Sequence, residues 1–183
     1  AILLALAMKS SFKEAAIYRT ALYLPAIIPT FALSFIFIVL INPQYGLLNT
    51  VLGVFGVGQT NYLGDPTGAK IVIVAMAQLG AGNAALIFLA GLNGIPQTLY
   101  EAARIDGSGR IGSFFRITLP LLSPTILFNV ITAISGGLQV FQQAYIMTQG
   151  GPNNGTLFYM YYLYKNAFSY AQLGYACALS MVL

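Results

Sequence analysis

The sequence predicts an all-α membrane protein, a polytopic helical bundle. Three observations predict it: very little charge, apolar residues gathered in blocks of membrane-spanning length, and basic residues concentrated in alternate loops. Of 183 residues, 58% are hydrophobic and 7% charged, and the mean hydropathy is +0.78. A soluble domain carries about 25% charged residues, so this chain lacks the polar surface to face water on all sides. Its apolar residues also run in continuous blocks, not in the interrupted stripe of an amphipathic soluble helix.

A complete span needs about 17–25 apolar residues. Residues 21–41, 71–95 and 119–147 meet that requirement. Residues 1–8 and 174–183 are apolar but too short. The expectation is therefore three complete helices and two truncated ones, in a single transmembrane domain, 1–183, that is the central part of a longer chain. With its end helices incomplete, the fragment is not expected to fold alone. Pro25, Pro29, Pro120 and Pro124 fall in or beside these blocks, where packed membrane helices tolerate proline.

Loop charge sets the orientation. Loop 9–20 holds Lys9, Lys13 and Arg19, and loop 96–118 holds Arg104, Arg110 and Arg116. The opposite loops, 42–70 and 148–173, hold only Lys70 and Lys165. Basic residues stay on the cytoplasmic side, which puts 9–20 and 96–118 inside the cell. The two external loops carry turn chemistry (NPQYG, GVFGVGQ, GDPTG, QGGPNNGT). Asp65 in the GDP turn is read as a turn residue, and the tyrosine-rich run from Leu157 to Phe168 as an anchor at the membrane–water interface.

Several function classes drop out. The chain has no histidine and one cysteine, Cys177. No disulfide framework, zinc site or Ser-His or Cys-His pair can be built from that inventory. The carboxylates are Glu14, Asp65, Glu101 and Asp106, too scattered for acid–base work within the chain. No GxxxxGK[ST] phosphate loop is present. The pI of about 9.2 reflects membrane topology and does not point to nucleic acid. The reading is no catalytic site, no metal and no cofactor in this chain.

The informative stretch is loop 95–120, IPQTLYEAARIDGSGRIGSFFRITLP. Pro96 suits a first helical turn, Gln97–Asp106 are good helix formers, and Gly107 suits a left-handed C′ position. Ser108 is expected to cap a following helix that runs through Phe114 and Phe115 to Pro120. Ala102 and Ala103 leave small side chains that let a partner approach closely. Glu101 has two readings: a charge for a basic partner, or a residue favourably placed near a helix start.

Glu101-Ala102-Ala103, then Gly107, Ile117 and Leu119-Pro120, resemble at every position the EAA motif of ABC importer permeases. Arg19-Thr20, Leu24-Pro25, Gly46-Leu47-Leu48-Asn49, Leu89-Ala90-Gly91-Leu92, Thr148-Gln149-Gly150-Gly151-Pro152 and Gly174-Tyr175-Ala176 extend the resemblance over nearly the whole chain. They are similar to the first permease subunit of maltose, glycerol-phosphate and multiple-sugar systems. The resemblance implies a type I importer permease fold in a bacterial inner membrane. It also implies that loop 96–118 is the coupling loop docking on a cytoplasmic ATPase dimer, where ATP and magnesium would reside. A second permease subunit, an external solute-binding protein and membrane lipid complete the implied partners. Gln78 and Gln142 depart from the residues common in that family, tryptophan and an acidic residue.

The third block is rich in uncharged polar groups. Asn129, Thr132, Ser135, Gln139 and Gln142 follow steps of three or four and are expected near one helix face; Gln78 and Asn83 add amides to the preceding block. Such groups suit a neutral polyhydroxylated solute, because sugar hydroxyls both donate and accept hydrogen bonds. They also suit subunit packing, and both readings stand. Gly80, Gly82, Gly91, Gly136 and Gly137 are expected to be close-packing positions. The alternatives are an ABC permease for another solute class, or an ATP-independent carrier or channel. An ion-coupled carrier would place charges inside the membrane, and these blocks contain none.

Overall fold

A computed structural model describes residues 1–9, 15–56 and 58–183, with backbone only at 15–19 and Leu22. Lys13, Glu14, Val57 and the Arg19 side chain, used above, lie outside the described residues. Among the described residues every regular element is a helix, with no strand.

Helices α1 (Ile2–Met8) and α2 (Ala15–Ile27) open the chain. Pro25 sits inside α2, but Pro29 breaks the expected 21–41 span. It takes the extended conformation (φ −56°, ψ 135°) before α3 (Thr30–Leu40), because proline disfavours a helical residue ahead of it and cannot donate into the preceding turn. The short apolar piece of the first external loop is α4 (Leu47–Val54). Asn49, buried within it, donates Nδ2 to the carbonyls of Asn42 (3.2 Å) and Thr60 (3.1 Å), and accepts from the Thr60 N–H (3.2 Å). One side chain thus ties the start of the loop to its middle.

The second block starts earlier than its apolar run. Helix α5 (Pro66–Leu79) begins after Asp65, whose carboxylate accepts from the Gly68 N–H at 2.7 Å. Asp65 is therefore the turn residue expected of it, and it also caps the helix, which was not expected. The block is also broken, at Gly80, into α5 and α6 (Ala81–Asn93). Helix α7 (Gln97–Ile105) and the short α8 (Arg110–Ser113) follow. A π turn over Phe114–Thr118 leads into α9 (Leu119–Leu121). Pro120 lacks an N–H and its ring crowds the carbonyl four residues back, and a widened turn relieves that crowding. Then come α10 (Ser123–Leu138), α11 (Gln142–Met147), α12 (Tyr159–Tyr164) and α13 (Leu173–Val182).

Among the described residues only Ser123–Met147, which is α10 and α11 taken together across the short break at 139–141, is long and apolar enough to cross a membrane; α5 and α6 pass together if counted as one bent span. The other expected spans appear as shorter helices separated by the breaks just described.

Contacts group the chain into two compact units, Ala1–Ile27 with Leu79–Ala133 and Ile28–Gln78 with Ile134–Leu183. In the first, α1 lies on α6, and Ala5 and Met8 meet Ala85, Phe88, Leu89 and Leu92, with Ile95 and Leu122 closing the cluster. Gly91 makes this possible: a Cβ there would stand 2.9 Å from Leu122 Cδ2 and 3.0 Å from Thr125 Oγ1. Close approach of this kind holds membrane helices together where lipid offers no hydrophobic drive.

In the second unit, Leu33 and Ile41 pack on Val72, Ile73, Met76 and Met147. Phe141, Tyr145, Tyr161 and Tyr164 gather with ring centroids 4.9 to 6.4 Å apart. Tyr161 is buried, while Phe168 and Tyr170 are exposed. The tyrosine run is thus partly a packed aromatic cluster, where an interfacial anchor alone was expected, since edge and tilted ring pairs add to burial.

Candidate functional site

Loop 96–118 takes its shape from its own sequence. Helix α7 ends as Gly107 adopts φ +78°. The Ser108 N–H donates to Ala103 O at 2.8 Å and the Gly107 N–H to Arg104 O at 3.2 Å. This is the Schellman pair, which satisfies two carbonyls that a helix end otherwise leaves open. Two expectations shift by one residue. Pro96 stands at the N-cap, just before the first helical turn, and Gly109 instead of Ser108 precedes α8. The Ser108 hydroxyl instead accepts a long 3.5 Å bond from Ser113.

Helix α7 has two faces. Gln97, Tyr100 and Arg104 recur at helical spacing and line the inner side, towards α1 and α6. Tyr100 Oη lies 2.8 Å from Thr118 Oγ1, so the helix is tied to the π turn by a bond whose Thr118 end is buried. Lys9 Nζ stands 5.5 Å from the centre of the Tyr100 ring and donates to Leu92 O at 3.0 Å. A lysine at the end of α1 thus joins α6 to α7 through a cation–π contact and a hydrogen bond.

The outer face carries Thr98, Glu101, Ala102 and Ile105, all exposed, with Ile105 87% exposed. Glu101 is the fifth residue of α7, beyond the first turn. The helix dipole acts mainly within the terminal turn, so the helix-start reading of Glu101 loses its physical basis. Ala103 is half-buried, while Ile117 packs against the core of the first unit. Leu119 and Pro120 form the start of α9. The EAA residues therefore divide: Glu101, Ala102 and Gly107 present an outward surface, whereas Ile117, Leu119 and Pro120 shape its attachment.

The polar residues of the third block are only partly aligned. Asn129, Thr132 and Ser135 share a face of α10, but that helix ends at Leu138. Gln139 falls in the break and Gln142 opens α11. Asn129 Nδ2 donates to Thr125 O at 2.8 Å and Thr132 Oγ1 to Phe128 O at 2.9 Å, so both donors are satisfied within their own helix. Thr132, Ser135, Gln139 and Gln142 are exposed, as are Gln78 near the end of α5 and Asn83 in the first turn of α6. Gly136 and Gly137 have open space where a Cβ would stand. The close packing expected of them is absent among the described residues and holds at Gly91.

Comparison with known proteins matches this arrangement to a family. The chain is 39% identical over 186 residues to the protein described as "Probable ABC transporter permease protein YesP" of Bacillus subtilis (strain 168), covering 100% of this chain and 60% of that one. It is 37% identical over 166 residues to the sulfoquinovosyl glycerol transport system permease protein SmoG of Agrobacterium fabrum (strain C58 / ATCC 33970), covering 90% and 54%. The chain thus spans well under two thirds of the length of these relatives. In structure it resembles a chain of a bacterial ABC transporter involved in the import of the acidic polysaccharide alginate, with a TM-score of 0.90 and 25% identity over 99% of this chain and 65% of that one. The description "Binding-protein-dependent transport system inner membrane component" matches residues 1–183, and the chain belongs to that family.

Proposed function

We propose that this chain is the helical core of a permease subunit in an ATP-driven importer of sugars or related polyols. In this reading it crosses the inner membrane several times and neither binds nor hydrolyses ATP. A cytoplasmic ATPase dimer carries ATP and magnesium, a second permease completes the pathway, and an external binding protein delivers the solute. The observation that carries the proposal is the outer face of α7. It is a rigid, Schellman-terminated helix that presents Glu101, Ala102 and the almost fully exposed Ile105 in a loop bearing the EAA residues. An exposed apolar side chain beside a small residue and a charge is the pattern of a surface awaiting a partner.

For the solute path we assign the exposed amides and hydroxyls Gln78, Asn83, Ser135, Gln139 and Gln142, with Asn129 and Thr132 in a lesser role because their donors are already satisfied. All are uncharged, which suits a neutral polyol.

The test uses the full-length permease assembled with its ATPase and second permease. Glu101→Lys and Ala102→Trp change exposed positions, where folding effects are usually within about 0.5 kcal/mol. Both variants are expected to insert normally yet fail to retain the ATPase and to lose solute-stimulated hydrolysis. Undiminished coupling in both would overturn the reading.

A further inference from the structure

Between α1, α6, α7 and the α8–π segment of the first unit lies a cavity of about 360 Å³ whose lining includes Lys9, Arg104 and Arg110 and, among the described residues, no carboxylate. Among the described residues neither guanidinium has an ion pair or hydrogen bond, and the one bond of the Lys9 ammonium goes to the Leu92 carbonyl. Each guanidinium offers five donors and the ammonium three. The hydroxyls of Ser108 and Ser113 join the same lining. Three cations around one concavity repel each other unless an anion enters, and an oxygen-rich anion matches the surplus of donors. The remaining wall is apolar, with Leu6, Leu92 and Phe114. This combination favours an amphiphile over a free ion: charge for a headgroup, and hydrocarbon for what is attached to it.

We propose that this cavity binds a phosphate-bearing anion, supplied by the headgroup of an anionic phospholipid in the inner leaflet. Basic pockets between membrane helices on the cytoplasmic side suit such headgroups. The leaflet rests on the orientation read from loop charge, whereas the binding itself does not depend on ATPase coupling. A ligand there would touch α1 and α7 together, and so bear on the position of the coupling helix.

The experiment takes the full assembled transporter in bilayers of phosphatidylcholine alone or with a quarter phosphatidylglycerol. Lipid retained after mild extraction is measured by native mass spectrometry, and ATPase capture is scored in parallel. The native protein is expected to retain phosphatidylglycerol in preference to phosphatidylcholine. Arg104→Gln with Arg110→Gln is expected to lower that retention roughly thirtyfold, at about fivefold per cation. Arg116→Gln, which changes a cytoplasmic arginine outside the cavity, is expected to leave it unchanged.

A second arm titrates inorganic phosphate against the transporter in phosphatidylcholine. Saturable binding that the double variant abolishes, without lipid preference, keeps the phosphate chemistry and moves its source to the cytosol. No preference in either arm, or equal retention by the double variant, overturns the proposal. If the double variant loses the ATPase while its lipid is unchanged, the cavity serves a protein carboxylate and the proposal is likewise overturned. Normal ATPase capture with unchanged lipid sinks this inference and leaves the proposed function standing.

Discussion

Tyr100 is the residue that ties loop 96–118 to its surroundings. Its ring receives Lys9 and its hydroxyl reaches the buried Thr118, so one side chain connects α7 to α1 on one side and to the π turn on the other. A hydrogen bond with a buried end contributes about 1 kcal/mol. Tyr100→Phe removes the hydroxyl and keeps the ring under Lys9. It is expected to lower the thermal stability of the full-length permease by about that amount. ATPase capture should persist while solute-stimulated hydrolysis falls, because the outer face is untouched and only the tether to the π turn is lost. Unchanged stimulation would remove Tyr100 from the transmission route. Lys9 attracts attention in the sequence only as a loop cation; its link to residue 100 appears only in the fold.

At the scale of elements, the glycines separate close packing from open surface. Gly91 on α6 meets Leu122 and Thr125 closely enough that any side chain must displace them, whereas Gly136 on α10 faces open space. Gly91→Val is expected to cost about 1–3 kcal/mol by overpacking. Gly136→Ala should leave this chain's own packing intact and favour helix by up to about 1 kcal/mol. Thermal unfolding of the purified permease, alone and in its complex, reads both. Destabilisation by Gly136→Ala confined to the complex would show a partner helix seated there. Helix α10 contains no buried residue, and Leu127, Phe128, Ile131 and Ile134 are each more than half exposed. Such a surface needs lipid or another subunit against it.

At the scale of the whole molecule, the charge distribution predicts one orientation, with loops 9–20 and 96–118 inside the cell. With Cys177 replaced by serine, single cysteines at Ser108 and Asn154 are expected to react with a membrane-impermeant maleimide from opposite faces, Ser108 from the cytoplasm. Labelling of both from one face would refute the loop assignment and, with it, the inner-leaflet placement of the basic cavity. The expected three uninterrupted spans did not appear as such. Ser123–Met147 alone qualifies among the described residues. Pro29 and Gly80 divide the other two blocks, because a hydropathy block records what a segment dissolves in and not where its backbone bends.

Composition and block length, both local properties, determined the membrane class and the helical content, and loop charge supplied an expected orientation. The Schellman end at Gly107 was legible for the same reason, since one residue's freedom to take positive φ decides it. The polar face was legible only as far as Ser135, because periodicity extrapolates a helix past the point where this one stops. Tertiary structure alone decided which glycine is crowded, which tyrosines are buried, and that Lys9, Arg104 and Arg110 line one cavity. The Lys9–Leu92 bond beside that cavity joins residues 83 positions apart. Such facts depend on which helix faces pack together, and side-chain spacing along one segment carries no information about that choice.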